Sequence, residues 1–150
     1  MEKTTSIKIE DEIEAIRSSM LLMGGMAVEM IKYSLDGLLK GAKPSIQKTF
    51  ELEEKVNLAE VEVDAMCNKF LVLRAPAAYD LRFILCTLRM IRDIERIGDE
   101  AEKMARMAQY FHEEIQSDVP KPNLALMVTD VVTMLEKVLN AYARDDDSEL

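Results

Sequence analysis

The 150-residue sequence has few of the residues that interrupt helices or build cross-linked scaffolds. It contains only 5 Gly, 4 Pro, 2 Cys, 1 His and no Trp. Cys67 and Cys86 form neither a CxxC pair nor a Cys/His cluster, which argues against a disulfide framework or a zinc finger and favours a reducing compartment. The sequence lacks an apolar run of about 18 residues and a signal peptide's apolar core. We therefore expect a cytoplasmic protein that reaches a membrane only through partners.

Basic residues are also scarce. The chain has 19 Lys and Arg against 28 Asp and Glu, a formal net charge of −9. Non-specific nucleic-acid binding requires a basic surface that displaces counterions, so we expect no nucleic-acid partner. No Ser or Cys has an evident His partner, and no glycine-rich phosphate loop is present. The sequence therefore predicts a protein that is not an enzyme.

Helical periodicity is what the sequence does have. Apolar residues make up 49% of the chain and include 11 Met, which is typical of a soft helical core. Their three- and four-residue spacing predicts helices at about residues 7–39, 45–74, 76–113 and 124–144. Prolines at the intervening connections support these boundaries. We expect an all-α fold: a long antiparallel three-helix bundle over residues 1–115, a linker at 116–123, and a fourth helix in 124–150 that begins a second bundle.

Two local features carry narrower predictions. Gly24 and Gly25 interrupt the first helix, and we favour a close helix–helix contact there over a kink used in binding. The lone His112 lies near the end of the third helix, where we expect a surface position.

The apolar stripe of the third helix ends in carboxylates. The stripe comprises Leu81, Ile84, Leu88 and Ile91. Its next positions hold Glu95 and Gly98, and Asp99 shares the face of Glu95. A carboxylate at an apolar position is costly unless something pairs with it. The pattern therefore predicts a cation here, either a metal ion or a nearby arginine.

The second helix carries polar residues on one side that can meet these carboxylates. They are Glu53, Asn57, Glu60 and Asp64. If the hairpin tip lies at about residue 75, Glu53 is level with Glu95 and Asp99, and Asn57 is one turn nearer the tip. The same register places Glu60 and Asp64 level with Met90 and Cys86, so they are a second choice. Oxygen ligands suit magnesium, manganese or iron. The alternative to a bound metal ion is that these carboxylates form ion pairs with Lys55, Arg92 or Arg96.

A basic ridge runs along the third helix, formed by Arg82, Arg89, Arg92 and Arg96. In so acidic a protein, such a ridge can bind an acidic partner or an anion. We favour the alternative, in which neighbouring Glu and Asp side chains balance the ridge.

Three segments resemble the PhoU family of phosphate-signalling regulators. They are MGGMAVEM at 23–30, EEKVNLAEVEVD at 53–64 and AYDLRFILCTLRMIRDIERIGDEAEKMA at 78–105. The resemblance implies two tandem three-helix bundles with an E/D-x-x-x-D motif on two adjacent helices, which in some members holds metal clusters. Glu95 and Asp99 match the third-helix motif. Glu53 and Asn57 match the second-helix motif, with Asn where the family often has Asp. The implied metals are iron, zinc, manganese or magnesium.

The resemblance also implies a function. PhoU proteins are regulators that link an ABC phosphate importer to a sensor histidine kinase and repress the phosphate-starvation response. The family pattern includes a second set of helices, of which we find only the first, so we expect either a shortened product or a partner chain that supplies the rest. Exposed apolar residues on the fourth helix then favour a homodimer or higher oligomer. Two alternatives remain open: a metal-storage or oxidoreductase bundle, and a regulatory module of a sodium-phosphate carrier.

Overall fold

The structure, a computed structural model, describes residues 2–76, 78–115 and 123–145. Its helices are α1 (Glu2–Lys40), α2 (Lys43–Arg74), α3 (Ala78–Tyr110) and α4 (Leu124–Arg144), and α3 continues into a π-helical turn, Phe111–Ile115. The all-α prediction is confirmed. The first helix begins earlier than the predicted residue 7, because its first turns are polar and apolar periodicity does not report them. Most of the predicted linker and the last five residues lie outside the described residues, so the division into repeats stays a prediction.

Helices α1, α2 and α3 pack against one another as a bundle, and α4 packs on α1. The interior is built from aliphatic side chains and methionines, as the composition predicts. The large apolar side chains with the least exposure are Ile16, Met20, Met23, Met30, Val56, Val63, Ile84 and Ile91. Within the described residues, no helix is both long and apolar enough to cross a bilayer.

The connection between α1 and α2 is closed by glycine and histidine. Gly41 has a φ of +65°, and its backbone N–H donates to the carbonyl of Gly37 at 2.9 Å, which ends α1 in a left-handed cap. Nε2 of His112 lies 2.9 Å from the carbonyl oxygen of Leu38, and its ring lies against Gly41. The surface position expected for His112 is therefore wrong: its side chain is partly buried and packs on this connection.

Helix α4 approaches α1 closely at Gly24. A Cβ atom on Gly24 would lie 2.3 Å from Cδ2 of Leu139, whereas nothing lies within 4 Å of a Cβ on Gly25. The predicted close helix–helix contact is confirmed, and it depends on Gly24 alone. Gly25 faces solvent.

A buried aromatic contact fixes the C-terminal end of α4. The Tyr142 ring stacks on Phe83 with 5.4 Å between ring centroids, and the Arg17 guanidinium lies 4.5 Å from the Phe83 centroid. Thr87 Oγ1 donates to the Phe83 carbonyl at 3.0 Å, so the Tyr142 hydroxyl, 2.8 Å from Oγ1, is the donor in their hydrogen bond. Burial raises the pKa of Tyr142 to about 12, which keeps this hydroxyl protonated.

Candidate functional site

Glu53 is the unusual residue of the α2–α3 interface. It is only 7% exposed, and its Oε2 atom is buried without a hydrogen-bond partner in the described part of the chain. Gly98 of α3 lies opposite: a Cβ atom there would be 3.1 Å from Oε2. The missing side chain at Gly98 therefore makes room for the carboxylate. A buried carboxylate oxygen without a donor is unfavourable unless a proton or a cation compensates it.

The electrostatic surroundings of Glu53 are acidic. Burial raises the pKa of Glu53, and the Asn57 amide partly opposes this shift. Asp99 and Glu102 raise the pKa further, because a second negative charge disfavours ionisation. The pKa of Glu95 is also raised, first by burial and then by Asp99 and Glu60, and Lys103 partly opposes this shift. These side chains form a patch that favours either a bound proton or a positive guest.

The predicted residues are brought together only in part. Glu53 interacts with Asn57 and with Asp99, whereas Glu95 interacts with Asp99 and with Glu60. The hairpin tip is centred on Pro76, one residue later than expected, because α2 extends to Arg74 and α3 starts at Ala78. That shift brings Glu60 nearer to Glu95 than we predicted.

Asp64 lies apart from this patch. Its carboxylate accepts a hydrogen bond from Asn68 at 2.7 Å on the exposed side of α2. Over the described ranges, no group of three or more His, Cys, Asp or Glu side chains is arranged to hold a metal ion. The residues thus provide a carboxylate pair with neighbouring oxygen donors.

Glu102 is the member of the patch that sequence reasoning missed. It lies seven residues after Glu95 and three after Asp99, so helical spacing places all three on one face. It also accepts hydrogen bonds from Arg106. This helical spacing from Glu95 and Asp99 is the sequence signal that could have identified Glu102.

The second candidate feature is the arginine ridge of α3, formed by Arg82, Arg89, Arg92 and Arg96. All four are exposed. The ion pairs of the described residues join other side chains, and Arg82, Arg89 and Arg92 have no balancing carboxylate there. Arg96 is balanced in part, because the pKa of Glu100 is lowered first by Lys103 and also by Arg96. Lys55, Arg92 and Arg96 likewise form no ion pair with Glu53, Glu95 or Asp99. At about 1.5 Å per residue, the ridge is about 21 Å long.

The fold and these two features define a class of protein: an all-helical bundle with acidic motifs on two neighbouring helices and a basic ridge beside them. Comparison with known proteins identifies the family. The model of the PhoU domain matches residues 20–108. The chain belongs to the PhoU family, as the sequence resemblance predicts.

Two relatives and one crystal structure are similar in sequence to most of this chain. It is 34% identical to the phosphate-specific transport system accessory protein PhoU homolog of Pseudomonas aeruginosa, covering 90% of this chain and 56% of that protein. It is 31% identical to the phosphate-specific transport system accessory protein PhoU of Edwardsiella tarda, covering 99% and 61%. The crystal structure of PhoU from Pseudomonas aeruginosa matches with a TM-score of 0.83 and 32% identity, covering 90% of this chain and 65% of that one. The chain therefore spans somewhat more than half the length of these relatives.

Proposed function

We propose that this chain is a non-enzymatic regulator of phosphate uptake and phosphate-starvation signalling that acts by contact with its partners. The relatives are named as accessory proteins of phosphate-specific transport systems, which supports the phosphate context. The observation that carries the proposal in this chain is the arginine ridge of α3, in which Arg82, Arg89 and Arg92 are exposed and unpaired within the described residues.

The shape of the ridge favours an extended acidic partner. Arg82 and Arg96 are separated by about 21 Å along a rigid helix, so a single small anion cannot reach both. Guanidinium groups bind carboxylates in a bidentate geometry, and an unpaired one retains all of its donors for a partner. An acidic strip on the importer or on the sensor kinase would satisfy several of them at once.

The charge distribution supports a docking function for this ridge. The net charge of −9 makes most of the surface repulsive to acidic partners. A partner with a matching acidic strip would be steered to α3, the one helix with such a row in the described part of the chain. In our proposal, docking when phosphate is plentiful couples the importer to the kinase and represses the starvation response.

The carboxylate patch is proposed as a site that modulates this docking. We place one hard cation between the Glu53 and Asp99 carboxylates, with the Asn57 amide oxygen as a further donor; the support is the buried, unpartnered Oε2 of Glu53 beside Asp99. The same residues do not fit a preassembled cluster, which needs more convergent ligands. Oxygen ligands favour magnesium, manganese or iron over zinc. A bound cation would neutralise the patch and tie α2 to α3.

Complementation in the host organism tests the proposal. Deletion of the gene is expected to derepress phosphate-responsive expression and alter phosphate uptake, and the wild-type gene should restore both. The double variant Arg89→Glu, Arg92→Glu should fail to restore repression. A charge-matched control, Lys8→Glu with Lys69→Glu, changes exposed lysines on other helices and should restore it.

Two outcomes would overturn the proposal. One is a deletion that leaves phosphate-responsive expression and uptake unchanged. The other is full complementation by the ridge variant at wild-type protein levels.

A further inference from the structure

Glu102 is a carboxylate beside the proposed cation site that already has a partner. It lies three residues after Asp99 on the same face of α3, and its charge contributes to the raised pKa of Glu53. Its side chain is only 21% exposed. Glu102 is nevertheless outside the ligand set, because no three His, Cys, Asp or Glu side chains of the described residues are arranged to hold a metal ion.

Arg106 is the residue that holds the Glu102 carboxylate. Its Nε and Nη2 atoms both donate to Oε1 of Glu102, at 3.1 and 2.5 Å. Its guanidinium carbon also lies 5.2 Å from the centroid of the Phe50 ring on α2. The arginine side chain is 66% exposed, but contacts with two helices fix its position. A carboxylate engaged by a guanidinium is a poorer metal ligand, because its charge is compensated and one of its oxygens is occupied.

We propose that the Arg106–Glu102 ion pair limits the affinity of the cation site by keeping a third carboxylate out of it. The inference rests on the proposed cation site between Glu53 and Asp99, which is supported by the buried Oε2 of Glu53 that has no hydrogen-bond partner among the described residues. The affinity of an oxygen-ligand site rises with the number of charged ligands. With Glu102 held by Arg106, the ion meets two carboxylates, and with Glu102 released it would meet three.

The limit on affinity has a consequence for regulation. A site with two carboxylates releases its ion readily, so its occupancy follows the cation concentration around the protein. A site with three would remain filled at lower concentrations and would lose that response. Arg106 is therefore a residue that sets the concentration range over which the patch is occupied.

Lys103 is the neighbouring basic residue, and its contacts differ. It donates to Glu100 at 2.8 Å, and its charge lowers the pKa of Glu95. It therefore acts on the patch through its charge and holds no carboxylate of the patch. Lys103 thus supplies a control that separates the effect of charge from the effect of releasing Glu102.

A Mn²⁺ titration of the metal-stripped 150-residue chain tests the proposal, with free Mn²⁺ measured by electron paramagnetic resonance. The wild type is expected to bind one ion. Arg106→Met keeps the apolar stem beside Phe50 but removes the charge and the donors, so the Kd for Mn²⁺ should fall about five- to tenfold. Arg106→Lys keeps the charge and can still pair with Glu102, so its Kd should stay near the wild-type value. Circular dichroism verifies that each variant is folded.

The variant Glu102→Gln tests whether Arg106 acts through Glu102. In the Glu102→Gln background, Arg106→Met should bring no tighter binding, because no carboxylate remains to be released. Lys103→Met removes a positive charge without releasing Glu102. Its effect on the Kd should therefore be the same with and without Glu102→Gln.

The outcomes separate this inference from the claims on which it rests. A wild type that binds no Mn²⁺ would overturn both the cation site and this inference, and would leave docking at the arginine ridge unaffected. A wild type that binds Mn²⁺ while Arg106→Met binds it no more tightly would overturn this inference alone. So would a gain from Arg106→Met that persists in the Glu102→Gln background, because that gain would be an effect of charge.

Discussion

The contact between Gly24 and Leu139 gives the sharpest prediction about how α4 is held. Replacing Gly by Ala inside a helix normally adds about 0.5–1 kcal/mol of stability. At Gly25 nothing opposes this gain, because no atom lies within 4 Å of the new Cβ. Gly25→Ala should therefore raise the free energy of unfolding by about 0.5–1 kcal/mol.

Gly24→Ala gains the same propensity but meets Leu139. The new Cβ would lie 2.3 Å from Cδ2 and 2.9 Å from Cδ1 of Leu139, so that side chain must move. Overpacking of this kind costs about 1–3 kcal/mol. The net change is a loss of about 0–2.5 kcal/mol, and the two glycine variants should differ by about 1–3 kcal/mol.

Urea unfolding followed by circular dichroism measures this difference as a shift in midpoint at constant slope. Leu139→Ala supplies the matched background: it costs about 2–5 kcal/mol alone but leaves space beside Gly24. In that background, Gly24→Ala should become as stabilising as Gly25→Ala. If Gly24→Ala stabilises the wild type as much as Gly25→Ala does, the close contact with α4 is refuted.

Three further variants test the buried polar groups and the carboxylate patch. In metal-free protein, Glu53→Gln should raise the free energy of unfolding near neutral pH. The folded-state pKa of Glu53 is raised, so its contribution to stability falls as pH rises from the ordinary carboxyl pKa through the raised value, and the gain from Glu53→Gln should vanish in acid. Thr87→Val should cost about 1–3 kcal/mol of unfolding free energy, and less in a Tyr142→Phe background, because it strands the buried Tyr142 hydroxyl. Elemental analysis of purified protein should find a divalent or trivalent metal that is lost in the variant Glu95→Ala, Asp99→Ala.

Each of these three predictions has a control variant or an outcome that would contradict it. Glu54→Gln changes an exposed carboxylate next to Glu53 and should leave the urea midpoint unchanged at neutral pH. A gain from Glu53→Gln that persists equally in acid would contradict the raised pKa. Equal costs of Thr87→Val with and without the Tyr142 hydroxyl would contradict that hydrogen bond. Equal metal content in wild type and carboxylate variant would contradict the cation proposal.

Local sequence patterns were sufficient for the helices and for part of the site. Apolar periodicity reports which face of a helix is buried, and it correctly predicted the four helices. The glycine pair inside α1 predicted the close contact, which the structure places at Gly24. The meeting of Glu53 with Asp99 followed from a hairpin register that was almost right. A shift of one residue at the tip moves each helix by about 1.5 Å, which was enough to misplace Glu60.

Other features depend on contacts between distant residues. His112 lies in the π-helical turn that follows α3, and from there its ring contacts the Leu38 carbonyl. No local sequence pattern predicts that turn. Ion pairing of the arginine ridge also could not be predicted from the sequence. Helical spacing places Arg89 and Arg92 near carboxylates, but the side-chain rotamers decide whether ion pairs form.

Direct binding by the purified chain tests the central claim that it regulates by contact through α3. The measurement is a titration against the detergent-solubilised phosphate importer and sensor kinase of its own host at low and high salt. We predict binding to at least one of them, weakened by salt, with Arg89→Glu, Arg92→Glu reducing affinity about tenfold or more and Lys8→Glu, Lys69→Glu having little effect. Binding to neither partner, or equal binding by the ridge variant at both salt concentrations, would contradict the account.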